Sequence, residues 1–168
     1  MTCRRLPETN DSTSSLKGNY RKAYNTALRL LTSRDHSTYE LARKLKQRDF
    51  EDDVIKDVLL HCERLNYLND ERTAQMFIGQ LLRKGYGAKR IRLELKRKGL
   101  TGKRIAGILI EILAGTGELE TAERILIKNI KRFEREDDCQ KRKEKIYRFL
   151  HSRGFPNQVV SELLKKFA

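Results

Sequence analysis

The strongest constraint on the fold is an apolar pattern that occurs three times along the chain, with a period of about 50 residues. In each copy, two apolar residues one helical turn apart precede a helix stop, and four more follow it. Self-similarity at this period is typical of stacked helical repeats, in which each unit buries its apolar face against itself and its neighbours. The three sets are Leu41, Leu45, Phe50, Ile55, Val58 and Leu59; Ile91, Leu95, Leu100, Ile105, Ile108 and Leu109; and Ile146, Leu150, Phe155, Val160, Leu163 and Leu164.

The composition agrees with a helical chain, because the sequence is rich in Leu, Lys, Arg and Glu and has only two prolines and no tryptophan. We therefore predict an all-α fold, an elongated array of three tandem three-helix repeats with nine short helices. The predicted segments are a mobile N-terminal tail at 1–18, repeat 1 at 19–68, repeat 2 at 69–115 and repeat 3 at 116–168.

Several helix ends are marked by residues with a defined backbone or hydrogen-bonding role. Ser37 and Glu40 form an S-x-x-E capping box, which predicts a helix that begins directly after Ser37. Asp49, Gly99 and Gly154 share one position of the repeat, and both residue types, Asp and Gly, can adopt the left-handed backbone that ends a helix. The other predicted signals are N-caps at Asp70 and Thr101, a stop at Gly85-Tyr86-Gly87 and a first helical position at Pro156.

The net charge of +14, with a pI near 9.9, indicates the class of partner. Residues 69–115 contain 11 basic and 4 acidic residues, so half of the net charge, +7, falls in the second repeat. A local excess of this size is typical of proteins that bind a polyanion, most often nucleic acid. Binding to an anionic membrane would need a helix with a wide spare apolar face, whereas here the apolar faces are needed for the core.

The densest cations lie on the second helix of repeat 2 and on its flanking turns. With Ile91 and Leu95 facing inward, a rotation of about 100° per residue directs the Lys and Arg side chains outward or to the flanks. The alternative is a solvated surface without a partner, which most charge runs are. Leu93 falls nearly opposite Ile91, so it either packs on a neighbouring repeat or belongs to a partner-facing patch. The predicted nucleic-acid or filament-binding residues are Arg83, Lys84, Lys89, Arg90, Arg92, Lys96, Arg97, Lys98, Lys103 and Arg104.

Catalysis and metal binding find little support. The sequence has no phosphate-binding P-loop, no H-E-x-x-H motif and no nucleophile elbow, and the acids at 51–53 are explained by a helix start. We therefore expect no enzyme activity, no catalytic residue, no metal and no cofactor. Three distant cysteines without a C-x-x-C pair are expected to be structural or incidental, and they are Cys3, Cys62 and Cys139. The histidines are expected at the surface or at helix ends, and they are His36, His61 and His151.

No apolar run is long enough to span a bilayer, and residues 1–16 lack the apolar segment of a signal peptide. We therefore expect a cytoplasmic, soluble protein without membrane contact. A free-standing DNA-binding regulator is one reading of such a chain, because a three-helix unit with a tight turn is similar to the helix-turn-helix readers. The exposed residues argue against it, since they are almost only Lys and Arg, which position a protein on phosphates, and phosphate contacts do not specify sequence. Tyr86 is a candidate for stacking on bases, although we favour a packing role at the helix end.

Three blocks of sequence, taken together, are specific enough to indicate a protein family. They are Arg34-Asp35-His36-Ser37 with Glu40-Leu41 and Lys44-Leu45; Tyr67-Leu68-Asn69-Asp70-Glu71-Arg72 with Ala74; and Lys84-Gly85-Tyr86-Gly87 with Arg90-Ile91, Glu94-Leu95 and Lys98-Gly99. The combination resembles the bacterial regulatory protein RecX family, and the similarity extends from Tyr20 to the C-terminus. The chain departs from the family pattern at Asn66, where glycine is usual, at Thr73, where an aromatic residue is common, and in a longer acidic joint at 134–138.

The resemblance implies a negative modulator of the RecA recombinase. Such a protein binds in the groove of the RecA filament on single-stranded DNA and limits filament extension, ATP hydrolysis and strand exchange. The implied setting is DNA repair, recombination and the SOS response, and the implied partners are the RecA filament and single-stranded DNA, with double-stranded DNA as a further candidate. We expect the modulator to be a monomer.

Overall fold

The computed structural model describes the backbone of residues 11–167 and the side chains of residues 18–167. This part of the chain forms nine α-helices and no strand, as the sequence predicts. It divides into two compact units, one up to Asp70 and the other from Glu71 on. The helices are α1 (Asp11–Ser33), α2 (Thr38–Lys46), α3 (Asp52–Arg64), α4 (Asp70–Arg83), α5 (Ala88–Arg97), α6 (Lys103–Thr116), α7 (Glu118–Glu134), α8 (Cys139–Ser152) and α9 (Asn157–Phe167).

Helix α1 begins earlier than the sequence predicts. The predicted N-terminal tail covers residues 1–18. Residues 1–10 of it lie outside the described residues, whereas the backbone from Asp11 to residue 18 is helical. Once the packed part of α1 around Ala23 and Ala27 has formed, each further residue adds a hydrogen bond without a new nucleation cost. Helix propagation therefore extends into a segment whose residues have no apolar period of their own.

The first unit contains α1, α2 and α3 around one apolar core. The inner positions of α2, Leu41 and Leu45, are fully buried against Val58 and Cys62 of α3 and Ala23 of α1. Cys62 is therefore a core residue, as expected for a structural cysteine. Cys139 is exposed, and Cys3 lies outside the described residues.

The N-terminus of α2 is capped as the sequence predicts. The Ser37 hydroxyl accepts a hydrogen bond from the Glu40 backbone N–H at 3.1 Å, and the Glu40 carboxylate accepts one from the Ser37 N–H at 3.5 Å. Asp70, at the start of α4, contributes a second carboxylate, whose Oδ1 accepts from the Thr38 N–H at 2.8 Å. Two carboxylates therefore satisfy the unpaired N–H groups and the positive dipole end of α2.

His36 lies at a helix end, directly before the Ser37 N-cap, which is one of its two expected places, but the turn between α1 and α2 buries it and leaves it 1% exposed. Its Nδ1 lies 2.9 Å from the Arg34 carbonyl oxygen, and its Nε2 lies 2.9 Å from Lys44 Nζ. A neutral ring that donates from Nδ1 and accepts at Nε2 satisfies both contacts. Burial, together with the positive charges of Arg34 and Lys44, lowers the pKa of His36.

The corner that ends the middle helix is the same in all three repeats. Asp49, Gly99 and Gly154 have φ values of 60°, 72° and 86°, which confirms the left-handed conformation predicted for this position. In each corner the next residue donates its N–H to a carbonyl five positions back, as Leu100 does to Leu95 at 2.9 Å. This is the Schellman arrangement, and it also ends α3 at Asn66, whose φ is 56°.

The second unit contains α4–α6 and α7–α9, each with its own core. The first of these cores includes Ile78, Ile91 and Leu109, and the second includes Leu126 and Phe155. The predicted N-cap at Thr101 is wrong, because α6 starts at Lys103 and the capping position is Gly102, with φ 106°. Thr101 is one residue too far from the helix for its hydroxyl to act as the N-cap.

Candidate polyanion-binding surface

The ten predicted binding residues belong to the second unit, and α5 carries most of them. Ile91 and Leu95 are buried, which places four residues at helical spacing on the outer face of α5. We call these four residues the α5 stripe; they are Lys89, Arg92, Leu93 and Lys96. From the first to the last, the stripe is about 10 Å long at 1.5 Å per residue.

The side of α5 next to the stripe is electrically compensated. Glu94 forms an ion pair with Arg90 at 2.9 Å and with Arg97 at 3.1 Å, so a single carboxylate serves two of the predicted residues. Two guanidinium groups held by an internal partner are less available to an external anion. The i,i+4 and i,i+3 spacings of these residues could have identified both pairs from the sequence.

The remaining predicted residues lie around the two ends of α5. Arg104 pairs with Glu71 at 3.0 Å, and Lys98 Nζ lies 4.8 Å from the centre of the Phe77 ring. The others are exposed at the end of α4 and the start of α6, and they are Arg83, Lys84 and Lys103. Within the described part of the chain, no carboxylate pairs with Lys89, Arg92 or Lys96 of the α5 stripe. The flanking residues Arg83, Lys84 and Lys103 likewise have no carboxylate partner there, so the stripe is the uncompensated part of α5 itself.

The N-terminus of α5 is already occupied by groups of the third repeat. The Ala88 N–H donates to Glu118 Oε1 at 2.8 Å, the Gly87 N–H donates to the Arg153 carbonyl at 2.8 Å, and the Lys89 N–H donates to the Gly154 carbonyl at 3.1 Å. A helix N-terminus commonly binds an external anion through these N–H groups and the helix dipole. Here an internal carboxylate takes that role, so an external anion must be bound by side chains.

The contact between the start of α5 and residues 118 and 153–154, which we call the seam, requires two close backbone approaches. A Cβ at Gly87 would lie 2.6 Å from the Gly154 carbonyl oxygen, and a Cβ at Gly154 would lie 2.3 Å from the Arg90 backbone nitrogen. Tyr86 packs in this seam with the Arg90 and Arg153 guanidinium groups 5.7 and 5.9 Å from its ring centre. Its position fits the packing role rather than an open surface for stacking bases. Sequence reasoning missed Glu118 because it is 30 residues from its partner.

Leu93 lies at the centre of the α5 stripe and is 43% exposed. Of its two expected roles, the structure of the second unit favours the outward-facing one, since Leu93 shares a face with Lys89, Arg92 and Lys96. An apolar side chain among cations adds a short-range contact to a mainly electrostatic surface.

Neither a metal site of three or more His, Cys, Asp or Glu residues nor a helix that could cross a membrane occurs in the described residues.

The fold and this surface define a class of protein: an all-α chain of three-helix domains with an uncompensated cationic stripe on the middle one. Three family models match it, described as the first three-helix domain of RecX over residues 23–62, the second over 69–106 and the third over 117–164. The chain therefore belongs to the RecX family.

Two named relatives support this assignment. Regulatory protein RecX of Legionella pneumophila is 36% identical over 147 residues, which cover 86% of this chain and 94% of that protein. Regulatory protein RecX of Haemophilus influenzae is 32% identical over 143 residues, which cover 84% and 92%. These relatives are named as regulatory proteins and not as enzymes.

Two crystal structures share the fold. RecX from Lactobacillus salivarius superposes with a TM-score of 0.78 at 22% identity, covering 90% of this chain and 97% of that one. Another regulatory protein RecX superposes with a TM-score of 0.83 at 21% identity, covering 99% of this chain and 82% of that one. At these identities the likeness establishes the fold.

Proposed function

We propose that this protein is a negative modulator of the RecA recombinase that binds the RecA filament on single-stranded DNA in its groove. The observation that supports the proposal is the α5 stripe, in which three uncompensated cations project from a basic helix in a chain of the RecX family. The proposed consequence of binding is slower filament extension, ATP hydrolysis and strand exchange.

The chemistry of the stripe suits a surface of phosphates or acidic side chains. Lys89, Arg92 and Lys96 present charge without an internal carboxylate, so they gain favourable contacts only when an anion arrives. Three-helix repeats allow several weak contacts of this kind to act together on a periodic partner. Avidity across neighbouring protomers would then provide affinity without a single deep pocket.

A free-standing, sequence-reading DNA regulator is less well supported. The exposed face of α5 offers Lys, Arg and Leu, and none of the Asn or Gln side chains that read adenine in the major groove. The helix after the tight turn enters the major groove in a helix-turn-helix reader, and here that helix is α6, which also contains no Asn or Gln.

The test is RecA ATP hydrolysis on single-stranded DNA with substoichiometric amounts of the purified full chain. The wild-type protein should inhibit hydrolysis, and the triple variant K89A/R92A/K96A should inhibit it markedly less. A matched control is K22A/R29A/K56A, which removes three exposed cations of the first unit and changes the net charge equally.

Inhibition by K89A/R92A/K96A at the wild-type level would remove the α5 stripe from the mechanism. Loss of inhibition in both triple variants would show that net charge alone matters. If the wild-type protein left hydrolysis unchanged but selected one duplex sequence from a random pool, the DNA regulator would be the better description.

A further inference from the structure

The outer face of α8, in the third repeat, carries a feature that the α5 stripe lacks. Tyr147 is 38% exposed, and its ring stacks on His151 with centroids 5.5 Å apart and planes 15° apart. At the equivalent position, directly after Ile91, which corresponds to Ile146 in the apolar repeat, the second repeat has Arg92. The third repeat thus presents an aromatic ring where the second repeat presents a cation.

A cationic cleft of about 540 Å³ lies between α7 and α8 on one side of this face. Arg132, Lys145 and Arg148 provide its charge, and Phe149 and Ser152 lie beside them. Lys145 is bonded to Glu136, whereas Arg132 has no carboxylate partner among the described residues. The cleft therefore keeps net positive charge that an external anion can neutralise.

A second cleft, of about 560 Å³, lies on the other side and is mainly apolar in character around Tyr147 and Leu164. Lys143 and Glu144 lie at its edge, and Glu144 forms an exposed ion pair with Arg148 at 3.8 Å, so a phosphate must compete with Glu144 for this guanidinium group. Arg148 lines both clefts. One guanidinium group thus separates a surface suited to an anion from a surface suited to a flat aromatic ligand.

The charge of α8 also favours a polyanion. The helix has five cations and one acid, which are Lys141, Arg142, Lys143, Lys145, Arg148 and Glu144. Three of the cations are ion-paired, Lys141 with Asp138, Lys145 with Glu136 and Arg148 with Glu144, so the excess charge of the helix itself comes from Arg142 and Lys143. An acidic peptide would satisfy the cationic cleft but would leave the exposed Tyr147 ring without a complementary group. A single-stranded nucleic acid offers both components at adjacent positions, because each nucleotide joins a phosphate to a base with a π-face.

We propose that the outer face of α8 is a second nucleic-acid site, where a base of single-stranded DNA stacks on Tyr147 while the adjacent phosphate is bound by Arg148 and Arg132. His151 acts as a positioning residue, because its stack with Tyr147 holds the ring in place. The site needs no recombinase, so its test is separate from the test of filament modulation.

The experiment measures fluorescence anisotropy of the full chain at low salt with two labelled oligomers of equal length, roughly 12 nucleotides, within the usual range for a small site. One is an oligothymidylate and the other has abasic sugars throughout, so that both have the same phosphates. Tyr147→Ala should weaken binding of the oligothymidylate at least about five-fold, the lower end of base–aromatic stacking, and leave the abasic oligomer unaffected. Tyr147→Phe, which keeps the ring, should bind the oligothymidylate as the wild type does.

Tyr67→Ala is the matched control, because Tyr67 is 49% exposed but belongs to the first unit and not to α8. It should leave the affinities for both oligomers unchanged. Arg148→Gln should weaken the binding of both oligomers. The proposal is overturned if Tyr147→Ala weakens the binding of neither oligomer or weakens the binding of both equally. It is also overturned if Tyr147→Phe binds the oligothymidylate as weakly as Tyr147→Ala does. Displacement of the oligothymidylate by polyglutamate with equal strength in wild type and Tyr147→Ala would assign the face to an acidic peptide and overturn it as well.

Discussion

At the scale of single residues, His36 shows how a short turn can depend on a protonation state. The ring links the Arg34 carbonyl to the Lys44 ammonium across the turn between α1 and α2. Protonation would remove the acceptor at Nε2 and place a second positive charge 2.9 Å from Lys44 Nζ. The neutral ring is therefore the form that the folded first unit favours.

The stability of the protein should decrease in mild acid because of His36. Its pKa is lowered first by burial and then by Arg34 and Lys44, while the bond to the Arg34 carbonyl and the charge of Glu40 act in the opposite direction. The unfolded chain, with a histidine pKa near 6.5, then binds the proton more readily. The free energy of unfolding is fully retained above about pH 6.5 and decreases as the pH falls below that value.

Urea unfolding of wild type and His36→Gln at several pH values between about 7.5 and 5.5, on either side of the usual histidine pKa, measures this effect. The variant should be less stable than the wild type near neutral pH and should lose less stability on acidification. Equal pH dependence in the two proteins would show that His36 does not cause it.

Gly154 is a second residue whose identity the fold requires. Its φ is 86°, and a Cβ there would lie 2.3 Å from the Arg90 backbone nitrogen and 2.6 Å from Arg90 Cβ. Gly154→Ala should reduce the free energy of unfolding by at least about 2 kcal/mol, from left-handed strain and displacement of α5. Gly107→Ala is the control, because no atom lies within 4 Å of its added Cβ in α6, and it should stabilise by about 0.5 to 1 kcal/mol. Urea denaturation compares the two, and similar values would contradict the predicted steric role.

At the scale of helices, α5 depends on a residue from another repeat. Glu118, the first residue of α7, accepts the Ala88 N–H at the start of α5, so the carboxylate that complements this helix dipole comes from the next three-helix domain. The second and third repeats are thereby joined by a capping interaction as well as by apolar packing.

Glu118→Ala should remove this cap and cost about 1 kcal/mol of stability, as for other N-cap losses. Hydrogen exchange of the Ala88 amide should become faster, because the N–H loses its acceptor. Glu111→Ala, at an exposed position of α6, is the control and should change stability by less than about 0.5 kcal/mol. Unchanged exchange at Ala88 in Glu118→Ala would show that the bond does not hold the start of α5.

Local signals in the sequence predicted most of the helices. The capping box at Ser37 and the left-handed corner at Asp49 each involve residues within a few positions, so spacing alone identifies them. The seam between Glu118 and Ala88 joins residues distant in sequence, and the early start of α1 depends on propagation from a packed helix. The sequence predicted the candidate site as a region of high positive charge. Only the structure showed which of its cations are paired with Glu94 and which are uncompensated.

At the scale of the whole molecule, 37 basic and 23 acidic residues leave a net charge of +14. Many exposed cations have a carboxylate partner, such as Arg104 with Glu71 and Lys46 with Asp52, at 3.0 and 2.9 Å. Such surface pairs contribute little to stability, but they reduce the charge available to a polyanion. The contribution of a cation to nucleic-acid binding should therefore depend on whether it is paired.

The salt dependence of DNA binding tests this distinction. Each phosphate contact on a single strand contributes about 0.7 to the slope of log K against log salt concentration, so K89A/R92A/K96A should reduce that slope by about 2. Replacing the paired cations in R90A/R97A/R104A also removes three charges, but it should reduce the slope by less, because those guanidinium groups already have carboxylate partners. Anisotropy titrations with labelled single-stranded DNA at a series of salt concentrations measure both slopes. Equal reductions would mean that the polyanion responds to the total charge of α5 and its surroundings, and the arrangement of ion pairs would then have no part in binding.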